Sequence, residues 1–398
     1  MSTDPTPDWA AARRQMMLDP GVVNLNSGSF GPTPRPVFER VTKLREHLAS
    51  EPMDFLVRAM PPLLWRARER LASFLGTTPQ RLVFTTNVSM AINIVGAGLP
   101  LEAGEILMSN REYGAMQWVW ERAAQRQGLT IRTFPLPLMP RSDDEILDAV
   151  SAAITPQTRL LFFSHVYSAT GLVMPAAEIC DLARRRGILT VVDGAHAPAM
   201  IPLEIDKLGC DFYGGNCHKW LLAPIGAGFL VLGSDAADRL EPLQVSWGYK
   251  PDRTRFDERD EFGSTPRTRS IEFGGTGDAC PWLTVPDAID FQTALGWDAV
   301  RARMHELSAV SRARLADRCG LTLSTPADPA RHGAMTAYWW PAGRNPATLR
   351  QKIWDRRIEA VVGEWPEGLT LRVSNHFYTT VDEIDRLADC VESILAGP

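Results

Sequence analysis

The sequence lacks the features of a membrane-spanning, disulfide-stapled or nucleic-acid-binding protein. Its six cysteines are scattered without any Cys-x-x-Cys pair, so neither a zinc site nor a disulfide framework is expected. No apolar run is long enough to cross a bilayer, and no basic segment leads into an apolar core at the start of the chain. A formal charge of −5 without a basic stripe argues against a nucleic-acid partner. We therefore expect a cytoplasmic protein with no membrane, nucleic-acid or metal partner.

What the sequence does contain is a regular alternation of strands and helices between residues 81 and 233. Short apolar runs such as Leu82–Thr85 and Leu160–Phe163 alternate with amphipathic segments such as Asp143–Ala153. Because successive positions of these runs are apolar, both faces of each strand are expected to be covered. The predicted fold class is α/β, with a mostly parallel central sheet flanked by helices.

After residue 285 the spacing of the predicted elements changes. A long helical stretch is followed by strands at 334–339, 358–362 and 369–373 and by a final helix at 381–396. This pattern predicts a small α+β C-terminal domain. The predicted division is therefore an N-terminal segment, residues 1–20, that packs on the small domain, a large domain, residues 21–285, and the small domain, residues 286–398.

Two residues carry the strongest chemical signal. Asp193 closes the apolar strand 189–192, and Lys219 follows it in the run His218-Lys219-Trp220. An aspartate at the end of a buried strand is costly unless a cation pairs with it. Enzymes that use pyridoxal 5′-phosphate (PLP) need a lysine to hold the cofactor covalently and an acid to pair with its pyridinium nitrogen. The two residues therefore predict a PLP enzyme, with residues 21–285 as its cofactor-binding domain.

A junction between a strand and a helix ahead of these residues offers a phosphate site. Asn87, Val88 and Ser89 lie where a strand joins the helix predicted at 89–99, and N–H groups at a helix start bind anions. Such residues are also ordinary helix caps, so capping alone is the alternative interpretation. Tyr113 follows the next strand and is expected either to stack on the pyridine ring or to be a half-buried core tyrosine.

Further polar residues lie at strand ends, where ligands of open α/β folds bind. Ser168 is the expected contact to the ring hydroxyl, and His196 is expected to touch the ring oxygen or the substrate. His165 has an alternative interpretation as a structural histidine. Later in the chain, Thr276 in a glycine-rich turn could reach the phosphate. The planar fork of Arg372 suits a carboxylate, with a surface salt bridge as the alternative.

In this order, the motifs resemble the class V aminotransferase group of fold-type I PLP enzymes over residues 20–395. The resemblance implies that Lys219 is the covalent anchor, that Asp193 pairs with the pyridinium and that Tyr113 stacks on the ring. It also implies a homodimer with a shared active site, to which the neighbouring subunit would contribute Thr276. The remaining implied contacts hold the phosphate (Asn87, Val88, Ser89, His218) or bind the substrate (Asn26, Gly28, Ser29, Arg372).

Within this group, the nearer likeness is to epimerases of antibiotic biosynthesis, on segments such as 23–29, 51–56 and 374–380. It implies an epimerase or racemase that acts on the α-carbon of a small amino-acid or peptide-like substrate. The implied catalytic residues are Lys219, Asp193, His196 and Tyr113. A C–S lyase acting by β-elimination is the alternative, and an aminotransferase is a further one. Persulfide-forming desulfuration is not expected, because the loop 361–368 has no cysteine and Cys217 is interpreted as packing.

Overall fold

The computed structural model describes residues 7–233 and 235–397. The strands of this part of the chain are β1 (Val23–Asn24), β2 (Leu82–Thr85), β3 (Glu105–Ser109), β4 (Thr130–Phe134), β5 (Thr158–Ser164), β6 (Leu189–Gly194), β7 (Phe212–Asn216), β8 (Gly228–Leu232), β9 (Thr322–Leu323), β10 (Met335–Trp339), β11 (Ile358–Glu359), β12 (Val361–Trp365) and β13 (Gly368–Ser374). The α-helices are α1 (Trp9–Arg14), α2 (Arg35–Ser50), α3 (Pro52–Asp54), α4 (Met60–Leu75), α5 (Val88–Gly98), α6 (Gly114–Gln127), α7 (Asp143–Ala153), α8 (Ala176–Arg184), α9 (Ile205–Leu208), α10 (Pro266–Glu272), α11 (Cys280–Leu283), α12 (Val285–Thr293), α13 (Trp297–Arg312), α14 (Pro346–Trp354) and α15 (Val381–Ala396).

A seven-stranded sheet with the order β2-β8-β7-β6-β5-β3-β4 forms the centre of the molecule. The pairs from β4 to β7 are parallel, whereas β8 runs antiparallel to both β7 and β2. Along β5, Leu161 and Phe163 enter one apolar core, while Phe162 between them enters the core on the opposite face. Both faces are therefore covered, and the predicted fold class with its mostly parallel central sheet is confirmed.

A second, antiparallel sheet has the order β12-β13-β10-β9. It packs with α13, α14 and α15 around a separate apolar core that contains Tyr338, Leu371 and Leu387. The single strand predicted at 358–362 is wrong, because β11 and β12 lie in different sheets. β11 pairs with β1 in parallel, and β12 pairs with β13.

The N-terminal helix α1 lies against α15 and the loop before it. Arg13 donates to both carboxylate oxygens of Glu383 at 2.8 and 2.9 Å, and the rings of Trp9 and Phe377 stack at 6.1 Å. The division into segments 1–20, 21–285 and 286–398 stays a prediction. Within the described parts of the chain, no helix is both long and apolar enough to span a membrane.

Candidate active site

A cleft of about 640 Å³ opens at the carboxyl ends of β5, β6 and β7. This is the edge of an open α/β sheet at which ligands bind. The residues that line the cleft are Gly28, Ser29, Phe30, Thr86, Asn87, Val88, Ser89, Tyr113, Ser164, Val166, Ser168, Asp193, Ala195, His196, Asn216, His218, Lys219, Ile225, Gly226 and Arg372.

The start of helix α5 forms one wall of the cleft. The side chain of Asn87 caps the helix by accepting the N–H of Met90 at 2.9 Å, and Asn216 accepts the N–H of Val88 at 2.8 Å. Ser89 lies between these two satisfied N–H groups, at the second helical position, and lines the cleft. The capping interpretation of this junction is therefore correct for Asn87. The positively polarised helix start still opens into the cleft at Ser89, where an anion is favoured.

Asp193 brings a buried carboxylate to the end of β6. Its side chain accepts the N–H of Ala195 at 2.8 Å, and the residue is 4% exposed. Burial raises the pKa of Asp193, while the hydrogen bond from Ala195 and the charge of Lys219 act in the opposite direction. Among the described residues, no cation forms a salt bridge with this carboxylate. A cationic ligand group at the sheet edge would supply the missing partner.

Lys219 lies on the loop that follows β7, beside the same edge. Its Nζ is 3.2 Å from Nε2 of His196. Desolvation in the cleft lowers the pKa of Lys219 to about 7, with Asp193 opposing the shift and Arg372 adding to it. The loop packs tightly, since a Cβ on Gly31 would lie 2.0 Å from the carbonyl oxygen of Lys219. A lysine in this state can act as a nucleophile or as a base near neutral pH.

The two histidines beside Lys219 are neutral. Burial lowers the pKa of His196 well below its ordinary value, and the charges of Lys219 and Arg372 add to the effect. Burial also lowers the pKa of His218 to about 4, and its Nδ1 donates to the carbonyl oxygen of Ala227 at 3.3 Å. Neither ring therefore adds a positive charge next to the lysine.

Arg372 projects from β13, and its charge has no carboxylate partner among the described residues. The guanidinium donates to the backbone and side-chain oxygens of Ser168 at 2.6 and 3.0 Å. It also donates to Asn26 at 3.2 Å and Ser29 at 3.3 Å. Burial lowers the pKa of Arg372 to about 10, and the residue is only 5% exposed. The surface salt bridge is therefore excluded, and the planar guanidinium group is positioned to bind an anionic ligand.

Tyr113 precedes α6 and is 56% exposed at the mouth of the cleft, so it is not a core residue. Its neighbour Glu112 is buried and accepts hydrogen bonds from Ser109 at 2.8 Å, Tyr167 at 2.6 Å and Ser164 at 2.7 Å. Burial raises the pKa of Glu112 to about 7, against the three hydroxyl donors. The carboxyl group thus ties the segment that carries Tyr113 to the ends of β3 and β5.

The structure brings nearly all of the predicted site residues to this one cleft. Asn26 is the first exception, because it reaches the cleft only through its contact with Arg372. Thr276 is exposed and lies outside the cleft of its own chain. Ser168 does line the cleft, and its hydroxyl accepts from Arg372. His165 bonds to Tyr213 at 2.9 Å away from the cleft lining, which agrees with its structural interpretation.

Sequence reasoning missed four residues of the site. Asn216 holds the start of α5, Glu112 anchors the tyrosine segment, and Phe30 and Ile225 expose apolar side chains at the mouth. The position of Glu112 in the short loop between the buried strand β3 and α6 is a signal that could have found it. Nothing local indicates that Asn216 reaches Val88, because the contact joins residues far apart in the chain.

Comparison with known proteins places this fold and site in a family. The sequence model for the family described as Aminotransferase class-V matches residues 23–387. The chain therefore belongs to this family, and the resemblance inferred from its motifs is confirmed.

Individual proteins extend this result. The chain is 56% identical over 391 residues to an isopenicillin N epimerase from Streptomyces clavuligerus, covering 97% of this chain and 98% of that protein. It is 55% identical over 392 residues to an isopenicillin N epimerase from Amycolatopsis lactamdurans, again covering 97% and 98%. Among solved structures, a C-DES mutant with glycine covalently linked to its PLP cofactor has a TM-score of 0.84 at 22% identity, over 97% of this chain and 99% of that chain. This structural likeness shows the fold.

The cofactor of this family is PLP, and the cleft has the chemical groups to hold it. A positively polarised helix start suits the phosphate, a buried carboxylate without a cation suits the pyridinium, and a lysine amine of lowered pKa suits the aldehyde. All three open into the same cleft. The guanidinium of Arg372, without a carboxylate partner in the described part of the chain, offers a further site for an anionic group.

Proposed function

We propose that this protein is a PLP-dependent epimerase that inverts the α-carbon of an amino acid or aminoacyl side chain, with isopenicillin N as its substrate. The observation that carries the proposal is the identity of 55–56% with two isopenicillin N epimerases over 97% of the chain. The geometry of the cleft supports it, because a base, a carboxylate-binding fork and a cofactor site converge there.

The cofactor end of the cleft would be organised by residues of the seven-stranded sheet. PLP, when bound, withdraws electrons from the α-carbon of an attached amine and makes its proton acidic. Asp193 would keep a proton on the ring nitrogen, and the start of α5 at Ser89 would hold the phosphate, with Asn87, Val88 and His218 lining the cleft beside it. His196 would donate to the ring oxygen from the same side as Lys219, which it contacts at 3.2 Å.

Lys219 is the proposed base on one face of the substrate. A pKa of about 7 leaves a large fraction of its amine uncharged at neutral pH, so Nζ can accept the α-proton. Arg372 would fix the α-carboxylate through its two terminal nitrogens, while Asn26, Gly28 and Ser29 form the wall around it. Because residue 28 is glycine, the side chains of Arg372 and Ser374 can lie close to its backbone. A Cβ there would lie 3.3 Å from Nη2 of Arg372 and 2.7 Å from Oγ of Ser374.

Inversion also requires a proton donor on the opposite face. Tyr113 and a water held by His196 are the two candidates. His196 touches Lys219 and therefore lies on the side of the base, whereas Tyr113 lines the cleft from a different segment. We therefore assign the second proton to Tyr113. In Tyr113→Phe, exchange of the α-proton with retained configuration should continue while inversion falls at least tenfold; equal loss of both would contradict this assignment.

Elimination and transamination are the competing reactions, and persulfide-forming desulfuration is a third reaction to consider. Cys217 is fully buried and desolvation raises its pKa far above the ordinary range, so it cannot serve as a thiolate nucleophile for desulfuration. The deciding experiment is incubation of the PLP-loaded protein with isopenicillin N in deuterated water, followed by chiral and mass analysis. Inverted product with one deuterium supports the epimerase. A keto acid with ammonia indicates a lyase, and conversion of the cofactor to its amine form indicates a transaminase.

We also propose a homodimer in which the cleft is completed by the second copy. Phe30, Tyr113 and Ile225 expose between 56% and 67% of their surface at the mouth of the cleft. Apolar side chains of this kind suit an interface, and Thr276, exposed on the same chain, would reach the phosphate of the other copy. Sedimentation of the loaded protein tests the assembly, because a fully active monomer would contradict it. The cytoplasmic location stays a prediction.

A further inference from the structure

The indole of Trp220 is fixed in one orientation directly beside Lys219. The side chain is fully buried and stacks on the ring of His376, with centroids 5.9 Å apart and planes 22° apart. The backbone carbonyl of Trp220 accepts hydrogen bonds from His376 Nε2 and from Gln292 Nε2, each at 3.0 Å. Burial and stacking leave the indole little freedom to rotate, and the two bonds to the carbonyl hold the backbone of Trp220 in place.

The indole N–H defines the tautomer of His196. It points at Nδ1 of His196 with a separation of 3.3 Å. An indole nitrogen can only donate, so Nδ1 must present a lone pair. His196 is neutral because burial, and to a smaller extent the charge of Arg372, lowers its pKa. A neutral imidazole with a free Nδ1 carries its proton on Nε2.

The Nε2 proton of His196 in turn defines the protonation state of the Lys219 amine. Nε2 lies 3.2 Å from Nζ of Lys219. An ammonium group has no lone pair and cannot accept this hydrogen bond, whereas an uncharged amine can. The other groups around Nζ act in opposite directions, since Asp193 favours the charged form and Arg372 disfavours it. His218 is neutral and adds no charge.

We propose that Trp220 is a positioning residue that locks His196 in its Nε2–H tautomer and thereby holds the amine of Lys219 uncharged. An uncharged amine is required for covalent attachment of the aldehyde of PLP, in which nitrogen and carbon form the C=N bond and the carbonyl oxygen leaves as water with the two amine hydrogens. The same state serves the base in turnover, and that second consequence rests on the proposed function. The protonation state of the amine in the cofactor-free protein does not depend on the proposed function.

The first test measures how fast cofactor-free protein forms the imine with pyridoxal phosphate between pH 5.5 and 9.5. The wild-type rate should rise with pH and inflect near 7. In Trp220→Phe, His196 can move its proton to Nδ1 and accept from a charged lysine. The inflection should move up by about one unit, which slows imine formation at pH 7 about fivefold. At pH 9.5 the two rates should converge.

The matched control is Trp120→Phe, which shortens another fully buried tryptophan. Trp120 lies on the buried face of α6 and packs against Phe162 of β5, away from the cleft lining. Its variant should keep the wild-type inflection. An unchanged inflection in Trp220→Phe, or the same shift in both variants, would overturn the proposal.

A second measurement is made on the wild type, so it does not depend on how well Trp220→Phe folds. Nitrogen-15 NMR of histidine-labelled wild-type protein without cofactor, assigned with His196→Gln, should show the His196 resonances of a neutral ring protonated at Nε2. A ring protonated at Nδ1 would refute the proposal. Both measurements use no amino-acid substrate, so failure of the epimerase assignment would leave them unaffected, and their failure would leave that assignment standing.

Discussion

Asp193 and Arg372 are two buried ionisable groups that face one cleft from two different sheets, and neither forms a salt bridge within residues 7–233 and 235–397. Asp193 ends a central strand of the parallel sheet, and its neighbours in the cleft come from adjacent strand ends. Arg372 comes from the antiparallel sheet, and its partners Asn26, Ser29 and Ser168 come from distant parts of the chain. The comparison teaches that the proposed cofactor end of the site is built by one sheet, whereas the proposed substrate end depends on the packing of separate segments.

The largest expected effect is at the cofactor end. Asp193→Asn removes the charge that would hold the ring proton, so kcat should fall on the order of 100- to 1000-fold with little change in KM. Steady-state kinetics of the loaded variant measure this. The matched control is Asp211→Asn, whose carboxylate accepts from the N–H and hydroxyl of Thr190 at the opposite end of the sheet. A large change in KM with unchanged kcat would break the division between the two ends.

The next effect is at the substrate end. Arg372→Ala removes the proposed partner of the substrate carboxylate, which should weaken substrate binding by about 3 kcal/mol, roughly 100-fold in KM. The affinity for PLP, followed by titration of its visible absorption, should stay unchanged. Arg372→Lys keeps the charge without the planar fork and should lie between the wild type and the alanine variant. Loss of cofactor affinity with normal KM would contradict the assignment of this arginine.

Glu112 belongs to the end of the site that the central sheet builds, and it should make the free energy of unfolding depend on pH. Burial raises the pKa of Glu112 from 4.5 to about 7, so the folded protein binds a proton that the unfolded chain releases in this interval. The stabilisation from this group is present below pH 4.5 and is lost as the pH rises through 7. Relative to wild type, Glu112→Gln should therefore gain about 3 kcal/mol of unfolding free energy between pH 4.5 and pH 8. Urea unfolding at both pH values measures this, and a pH-independent difference would contradict it.

The smallest effect concerns an ion pair that connects the two ends. Arg111, two residues before Tyr113, pairs with Glu367 in the turn between β12 and β13. Because the carboxylate is 41% exposed, the pair should contribute less than about 1 kcal/mol. Glu367→Gln should lower thermal stability slightly and leave kcat unchanged, with the neighbouring Glu364→Gln as the control. A tenfold loss of activity would mean that docking of the second sheet depends on this pair.

The difference between the two ends also explains how much the sequence could predict. Lys219, Asp193 and the start of α5 follow directly from their places after apolar strands, because parallel strands bring their carboxyl ends to one edge. The sequence contains no comparable pattern that predicts the direction of β8, which runs antiparallel to β2 and β7. The split between β11 and β12 at Ala360 has no local signal either, because it depends on the pairing of β1 with Ile358–Glu359.

Contacts between distant segments of the chain limit how much of the candidate site could be predicted from the sequence. The pairing of Arg372 with Asn26 and Ser29 spans more than 340 residues, and no local pattern encodes it. Trp220 looked like part of a motif around the lysine, yet its contact with His196 appears only when β6 and β7 lie side by side. The residues that chemistry requires were therefore predictable from type and order, whereas those that orient them were not.

The most direct test of the account is to locate the covalent bond to the cofactor. The protein is loaded with PLP, reduced with borohydride, digested and mapped by mass spectrometry. The account predicts one reduced phosphopyridoxyl adduct, on Lys219, and none in the Lys219→Ala variant. An adduct on another lysine, or none in the wild type, would contradict the central claim that this cleft is a PLP site.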